Sequence, residues 1–394
     1  MTVTDSPAVA GAVEAAAEKR IESHLNPPPS YDLADHPVPT GREEIWRFTP
    51  LKRLGGILDG EPSDRHLDWD TTLPDGVTLT RISAAEAVEL GELAPGDRPA
   101  ALAVAQGGGA VLLDVPADHT GDQPVWLRLH GSSVDDLVWG HLVIRVGTHA
   151  DVTIVVEHTG SARYCATTSV LVGDGAKVNV LTLQDWDDDA VHLGRDAIRV
   201  GRDAFVRHTA ISFGGDLVRM HANVEYDGPG GEAELLGLYF ADEGQHIEHR
   251  LFADHTAPHT KSHVLYKGAL QGEGAHTVWV GNVLIRKVAE GIETYEENRN
   301  LVLTDGCQAD SVPNLEIETG EIEGAGHASA TGRFDDEQLF YLRSRGVSEA
   351  EAHRLVVHGF FNDLIRKVGV PALQEKLMAT VEDELAKNVL RESA

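Results

Sequence analysis

Thiols are nearly absent from this 394-residue chain, which has only Cys165 and Cys307. Two cysteines exclude a disulfide-built scaffold, and this chain alone cannot hold a cluster with four thiolate ligands. Basic residues are scarce too: 33 Lys and Arg stand against 63 Asp and Glu, a formal charge of −30. Such a chain repels the phosphates that a nucleic-acid binder must neutralise, and an anionic membrane surface as well. No run approaches the roughly 18 apolar residues of a membrane-spanning helix. Residues 1 to 17 are alanine-rich but carry Asp5 and Glu14 and no basic start, so they do not read as a secretory signal. Few cysteines, high acidity and no signal together lead us to expect a cytoplasmic protein.

Several catalytic and nucleotide motifs are also missing. No GxxxxGK followed by Ser or Thr occurs, Gly107-Gly108-Gly109 lacks the following lysine, and Gly214-Gly215 opens no GxGxxG helix, so no nucleotide is expected on this chain. There is no GxSxG nucleophile elbow. Paired carboxylates are abundant in so acidic a chain and single out no acid–base pair. A β-helix with a carboxylate cleft would suggest a carbohydrate lyase or hydrolase, but aromatics are only 6 % of the chain, leaving few sugar-stacking platforms.

What the chain has is glycine, 40 residues, and histidine, 20 residues. A helix is expected over residues 7 to 24, with Val9, Val13, Ala16 and Ile21, ending at Asn26-Pro27-Pro28-Pro29 because proline cannot continue a helix. In residues 41 to 54 a helical turn would put Ile45 and Phe48 on one side. Residues 61 to 105 read as mixed and loop-rich, apart from a short helix near 83 to 93 where Ser83 and Glu86 have capping-box spacing. From residue 108 the texture changes. Short β-branched runs at 110–115, 142–146, 152–156, 178–183 and 233–239 are broken by Gly and Asp, and helical periodicity is nearly absent until residue 335. This is the pattern of an all-β core.

A small-residue corner followed by a strand recurs: Gly147-Thr148-His149-Ala150-Asp151-Val152, Gly175-Ala176-Lys177-Val178, and weaker copies at Arg202-Asp203-Ala204-Phe205, Gly231-Glu232-Ala233-Glu234 and Gly274-Ala275-His276-Thr277. Spacings of about 26 to 29 residues suit one coil of a parallel β-helix, whose corners favour glycine. A β-sandwich with coincidental spacing is the alternative. The tail is helical. Asp335 to Gln338 open a helix with acids at its positive end, Gly346 stops it, and Ser348 with Glu351 forms a capping box for the next. Pro371 then starts a last helix. The expected organisation is a mixed, partly helical region over 1–107, a parallel β-helix core over 108–332 and a C-terminal helical domain over 333–394.

The histidines cluster at His246, His249, His255, His259, His263 and His276. Imidazole suits zinc, iron or copper, so a stand-alone His-rich metal-binding protein is a further reading, although no HExxH or CxxC accompanies them. Asp185-Trp186-Asp187-Asp188-Asp189 lacks calcium-loop spacing and reads as a solvated turn. Cys165 reads as core. Cys307, in Asp305-Gly306-Cys307-Gln308, is either a ligand or an inert thiol.

The sequence becomes specific between residues 286 and 346. It contains Tyr295-Glu296-Glu297-Asn298-Arg299-Asn300, then Asp310-Ser311-Val312-Pro313-Asn314-Leu315-Glu316-Ile317, then Gly326-His327-Ala328-Ser329-Ala330-Thr331-Gly332, then Leu339-Phe340-Tyr341-Leu342-Arg343-Ser344-Arg345-Gly346. In combination and order these segments resemble the SufB/SufD family of iron–sulfur cluster assembly scaffolds. Trp46-Arg47-Phe48-Thr49-Pro50-Leu51 and the Gly-His-Ala-Ser-Ala-Thr-Gly segment resemble its SufD branch.

The resemblance implies a mainly β fold, a right-handed parallel β-helix core flanked by N-terminal and C-terminal helical regions, and a non-catalytic role. It implies partners: a SufB-like paralogue at the end of the β-helix, a SufC-like ATPase on the C-terminal helices, and a possible SufD-type homodimer. Candidate docking residues for the ATPase are Leu339, Phe340, Arg343, Arg345 and Phe360. It also implies a transient iron–sulfur cluster shared with the paralogue, for which the matching candidate metal ligand is His327. Two departures stand out. Many relatives of this type carry cysteine two residues before that histidine, where this chain has Ala325. The usual glutamine of the Tyr-Gln-x-Asn segment is Glu296.

Overall fold

The computed structural model describes residues 26–333 and 336–387. The helix expected over residues 7 to 24 lies outside the described residues. Short 3-10 turns at Leu33–Asp35, Leu51–Leu54 and Ile57–Asp59 lead into β1 (Asp68–Thr72) and β2 (Thr78–Ile82). Two helices follow, α1 (Ala84–Glu89) and α2 (Arg98–Gln106). The capping box of α1 forms as expected: Glu86 donates its backbone N–H to the Ser83 hydroxyl, and its carboxylate accepts from the Ser83 N–H. Helix α2 corrects the loop-rich reading of residues 61 to 105. Asp97 caps it, accepting from the Ala100 N–H, and Pro99 sits in its first turn, where no N–H is missed.

The core then runs through β3 (Ala110–Val115), β4 (Val125–Val146), β5 (Asp151–Val172), β6 (Lys177–Trp186), β7 (Val191–Val200), β8 (Phe205–Phe213), β9 (Leu217–Tyr226) and β10 (Glu232–Ala241). It continues through β11 (His246–His255), β12 (Lys261–Leu270), β13 (His276–Ile285), β14 (Glu293–Val302), β15 (Gln308–Ile317) and β16 (Gly324–Arg333). Successive strands alternate between two walls. One wall is β5-β7-β9-β11-β13-β15 and the other β5-β6-β8-β10-β12-β14-β16. The long β5 serves both, its first half pairing with β6 and its second half with β7. All these pairings are parallel, so the mainly β, parallel β-helix architecture expected from the spacing is the one found. Inward side chains at alternate positions stack Val, Ile and Leu between the walls.

The coil register is explicit on the second wall. Asp151 pairs with Lys177, Lys177 with Phe205, Phe205 with Glu232, Glu232 with Lys261, Lys261 with Glu293 and Glu293 with Gly324. Coils therefore take about 26 to 32 residues, a usual repeat length. Ala150, Ala176 and Ala204 stack at one corner, but Gly231, not Ala233, takes the fourth place, since the Lys261 N–H donates to its carbonyl. The Gly274 copy lies on the other wall, opening β13. Just before each of these stacked positions the backbone is left-handed, at His149, Gly175, Asp203, Gly230, His259 and Gly291. Every coil turns here in the same conformation, and Gly, Asp and His are residues that tolerate it. His259 of the histidine cluster thus has a backbone reason for being where it is, as does His149.

Both outer surfaces are covered. Helices α3 (Asp336–Ser344), α4 (Glu349–Lys367) and α5 (Pro371–Lys387) close the chain. Phe361, Leu364, Leu373, Leu377 and Val381 of α4 and α5 pack on outward Leu181, Ile211, Leu236, Leu238 and Phe240 of the second wall. The N-terminal segment packs Trp46, Leu54 and Ile57 on outward Cys165, Leu193 and Leu217 of the first wall. No helix among the described residues is long and apolar enough to cross a membrane.

Candidate functional site

The two ends of the β-helix differ. At the N-terminal end, β1 and β2 add antiparallel to β4 and β3. At the C-terminal end, β15 and β16 are the last strands of their walls, each with one neighbour. Their outer backbone edges have no strand partner among the described residues. Pro313 sits in the middle of β15, a position allowed to proline only at an edge. Ile317 is 51 % exposed at the close of β15. Unpaired parallel edges of ten residues each are templates for strand addition by another chain.

His327 lies in β16 at this end. Its register partner is Glu296 of β14, and the same column runs back through Val264, Leu235, His208 and Val180. Parallel partners point the same way, so Glu296 and His327 both project between the walls. His327 is exposed, because no further coil covers it. Glu296, one rung deeper, is 1 % exposed, and neither carboxyl oxygen has a side-chain hydrogen-bond partner among the described residues. Burial pushes its carboxyl up to about 8, offset only in part by the Asn314 backbone N–H. It reaches the opposite wall: a Cβ on Gly281 would lie 2.4 Å from Glu296 Oε2 and 2.6 Å from the Trp279 ring. The indole N–H of Trp279 also has no partner.

Beside this unsatisfied pair the lumen is well satisfied. The Tyr239 hydroxyl donates to Asn300 Oδ1 at 2.7 Å and accepts from Asn298 Nδ2 at 2.8 Å. Ser311 donates to Asn298 Oδ1 at 2.6 Å, tying β15 to β14. The asparagines of the Tyr-Glu-Glu-Asn-Arg-Asn segment are therefore lumenal cross-links between the walls.

The other expected residues fall in different places. Ala325 is inward and half-buried, packed with Leu315 and Ile322 against Val283, Ile285 and Ile292. Cys307 is half-buried at the corner before β15, its thiol 3.3 Å from the Gly272 carbonyl, and burial raises its pKa. Cys165 is fully buried, as expected, with its thiol against the Pro99 carbonyl at 3.3 Å. The clustered histidines do not converge. His249 and His255 point inward, His263 stacks on Tyr295 outside, and only His246 and His276 meet, Nδ1 to Nδ1 at 3.3 Å. Among the described residues no three His, Cys, Asp or Glu side chains form a metal-holding group.

Of the candidate docking residues, Phe340 on α3 is 75 % exposed, followed in sequence by Tyr341 at 56 %, and Leu355 of α4 is 47 % exposed. The Arg345 guanidinium lies over the Tyr341 ring at 5.0 Å. Arg343 is exposed in the last turn of α3. Leu339 lies in α3, and its side chain is outside the described ones. Phe360 is only half-buried surface: its ring packs on the α4 core side and its carbonyl accepts from Lys267 Nζ at 2.8 Å.

One cluster escaped the sequence reading. The segment around Trp46 is a run of turns rather than a helical turn, and the anchor is Trp46, 3 % exposed, not Ile45 or Phe48. Its ring lies 4.1 Å from the Arg219 guanidinium. Arg219 in turn sits 3.4 Å from Glu248 and 3.3 Å from Asp97, while Thr49 donates to Glu248 at 2.7 Å and Arg250 at 3.1 Å. Burial pushes the Glu248 carboxyl up, but His246, Arg219 and Arg250 more than reverse this and hold it below the usual carboxylate range. The aromatic-and-charge mixture of residues 41 to 54 was the visible signal for this clamp.

Comparison with known proteins bears on the same residues. The family model described as the SufBD core domain of SUF-system iron–sulfur cluster assembly matches residues 129–360. Mycobacterium tuberculosis (strain CDC 1551) has an iron–sulfur cluster assembly SufBD family protein that is 49 % identical over 387 residues, covering 96 % of each chain. A second SufBD family protein of that strain is 27 % identical over 205 residues, covering 52 % of this chain and 24 % of its own. The iron–sulfur cluster assembly protein SufD of Bacillus subtilis is 24 % identical over 282 residues, covering 70 % of this chain and 64 % of its own.

Proposed function

From the premise that this chain belongs to the SufBD family of iron–sulfur cluster assembly proteins, we propose that it is a SufD-like, non-catalytic scaffold subunit of a cytoplasmic SufBCD-type complex. The observation that carries the reading is the open end of the β-helix, where two unpaired edges flank an exposed lumenal histidine. A SufB-like paralogue adds its own terminal strands to β15 and β16, continuing both walls. Iron and sulfide are the cargo, and the nascent cluster is transient and shared. His327 supplies imidazole to iron, which replaces thiolate in known cluster ligation. The thiolates come from the partner, since Ala325 offers none. The core over 108–332 carries this junction and the region over 1–107 clamps it. The helical domain over 333–394 takes the SufC-like ATPase.

The exposed aromatics Phe340 and Tyr341 of α3 and the exposed Leu355 of α4 support the ATPase reading, with Leu339, Arg343 and Arg345 on α3 or its end and Phe360 holding α4 to β12. Exchange of Phe340 for Asp is expected to abolish capture of the ATPase by the tagged complex while leaving the thermal midpoint of the chain unchanged, because the ring touches little of its own chain. Retained capture sinks this docking surface.

The decisive experiment is co-expression with the SufB-like and SufC-like proteins of the same genome and anaerobic purification. Co-purification of all three is expected, and a chain recovered only as a homodimer through the same edges rejects the heteromeric reading. His327→Ala should leave the complex assembled but reduce its iron and acid-labile sulfide several-fold. Unchanged cluster content removes His327 from the mechanism.

A further inference from the structure

We propose that Glu296 is a second metal ligand beside His327, so that this chain receives ferrous iron on a carboxylate–imidazole pair at the open end of its β-helix. The inference rests on the reading of that end as the place where the cluster forms, and it adds the residue that takes the ion inside the lumen.

Three observations carry it. The first is register. Glu296 and His327 are partners on adjacent parallel strands, and such partners stand about 4.8 Å apart with side chains on the same face. Two side chains so placed can reach one ion, carboxylate and imidazole being ordinary ligands of ferrous iron. The second is the state of the carboxyl. It is 1 % exposed, and among the described residues no side chain donates to either oxygen, the Asn314 backbone N–H alone lying beside it. Buried carboxylates are normally paired with a cation, fully hydrogen-bonded or bound to a metal. Among the described residues no Lys or Arg pairs with Glu296: the ion pairs of β14 are made by Glu293 with Lys261 and by Glu297 with Arg299, all facing outward. The third is space. Gly281 stands across the lumen from Oε2, and any larger residue there would strike the carboxyl. The absence of a side chain at 281 is what lets the glutamate extend to the lumen axis.

Two protein ligands do not close a coordination sphere. Open positions remain for water, sulfide or a group from the partner subunit, as a receiving site requires and a storage site does not. Helical or strand neighbours supply no third ligand: Ser329 and Thr331 follow His327 inward along β16, and Ala325 precedes it.

The test is anaerobic titration of the full chain with ferrous ion alone, followed by calorimetry and by optical titration with cobaltous ion as a spectroscopic substitute. One saturable ion per chain is expected. Glu296→Gln and His327→Ala should each weaken binding roughly tenfold or more, and the double variant should lose little beyond the worse single, because both ligands serve one ion. The Gln variant keeps shape and volume, so circular dichroism and the thermal midpoint check its fold. If Glu296→Gln binds as the wild type does while His327→Ala does not, the carboxylate has no part and this proposal falls, with the scaffold reading intact. If neither variant changes binding, or the wild-type chain binds no ion alone or with its paralogue, the proposal falls as well. Failure of the chain to co-purify with its partners would sink the scaffold reading, whatever Glu296 does.

Discussion

Gly268→Ala lowers the apparent thermal midpoint of this chain far more than a methyl group ordinarily does. Residues Gly237 and Tyr239 of β10 stand in register with Tyr266 and Gly268 of β12. Each tyrosine ring lies over the glycine of the neighbouring strand. A Cβ on Gly268 would fall 1.9 Å from Cε2 of Tyr239, and one on Gly237 would fall 1.9 Å from Cδ1 of Tyr266. Neither ring has room to retreat. Tyr239 is pinned by its hydroxyl to Asn298 and Asn300. Tyr266 is wedged between His249 and Trp279. Overpacking of a core usually costs about 1 to 3 kcal/mol, and with both ring and backbone held the cost belongs at the top of that range or above it. The control is Gly332→Ala at the open end, where a Cβ meets nothing within 4 Å; it should change stability by less than about 0.5 kcal/mol. Tyr239→Leu in the Gly268→Ala background should recover part of the loss, which identifies the clash rather than strand propensity as its cause. A Gly268→Ala midpoint equal to that of the Gly332 control would contradict this packing account.

These glycines also mark the limit of what the sequence discloses. Alternation of β-branched residues and the alanine corners were enough to give the coil, because both follow from local rules of strand and turn. The fourth corner was misplaced by two residues because Ala233 is an equally small residue inside the strand. Only the interstrand hydrogen bonds reveal that Gly231 is the stacked position. Helix α2 lies in a stretch that reads as mixed and loop-rich, because its helical signals are confined to the Asp97 cap and Pro99 in the first turn of a nine-residue helix. Lumen contents were less legible still. Period-2 alternation says that Glu296 and Val264 share a face, but not that they share a column, since register is set by coil length, which varies from turn to turn. For the same reason the histidine cluster looked convergent in sequence and is spread over two walls and their corners. His327 and Glu296 were each visible as motif positions, and only the fold makes them neighbours.

The second large effect is a loss of stability in mild acid. Burial pushes the imidazoles of His158 and His255 down to about 4, and burial followed by the nearby His208 pushes His249 down to about 3. All three lie in the lumen or at its corner. Tyr164, Trp186 and His192 surround His158, Thr260 and Ser262 bond His255, and Ser212 bonds His249 at 3.1 Å. In the unfolded chain each titrates near 6.5. Between about 6.5 and 4 the unfolded chain takes up protons that the folded chain refuses, so stability rises with pH across this window and falls as the pH drops through it. A depression of this size is worth on the order of 3 kcal/mol per histidine once the pH reaches 4. Glu296 acts in the opposite sense. Its raised pKa makes the folded state bind the extra proton between about 4.5 and 8, so its contribution is lost as the pH rises. Burial raises Glu384 as well, and lowers His192, His221 and His246 beside the three named, so two carboxyls stand against six imidazoles and the net is a loss toward acid. Glu248, held down by its cations, adds to that loss only below the usual carboxylate pKa. The apparent midpoint, followed from pH 8 to pH 4 at constant ionic strength, should hold near neutrality and drop steeply below about 6.5. His249→Gln, which keeps a donor for Ser212 without a titratable ring, should flatten that slope by roughly a sixth, because burial holds down His192, His221 and His246 as well and His249 is one of six such groups. A midpoint that is level down to pH 4.5 would mean that these imidazoles accept protons in the folded chain, and that the lumen is open to water along its length.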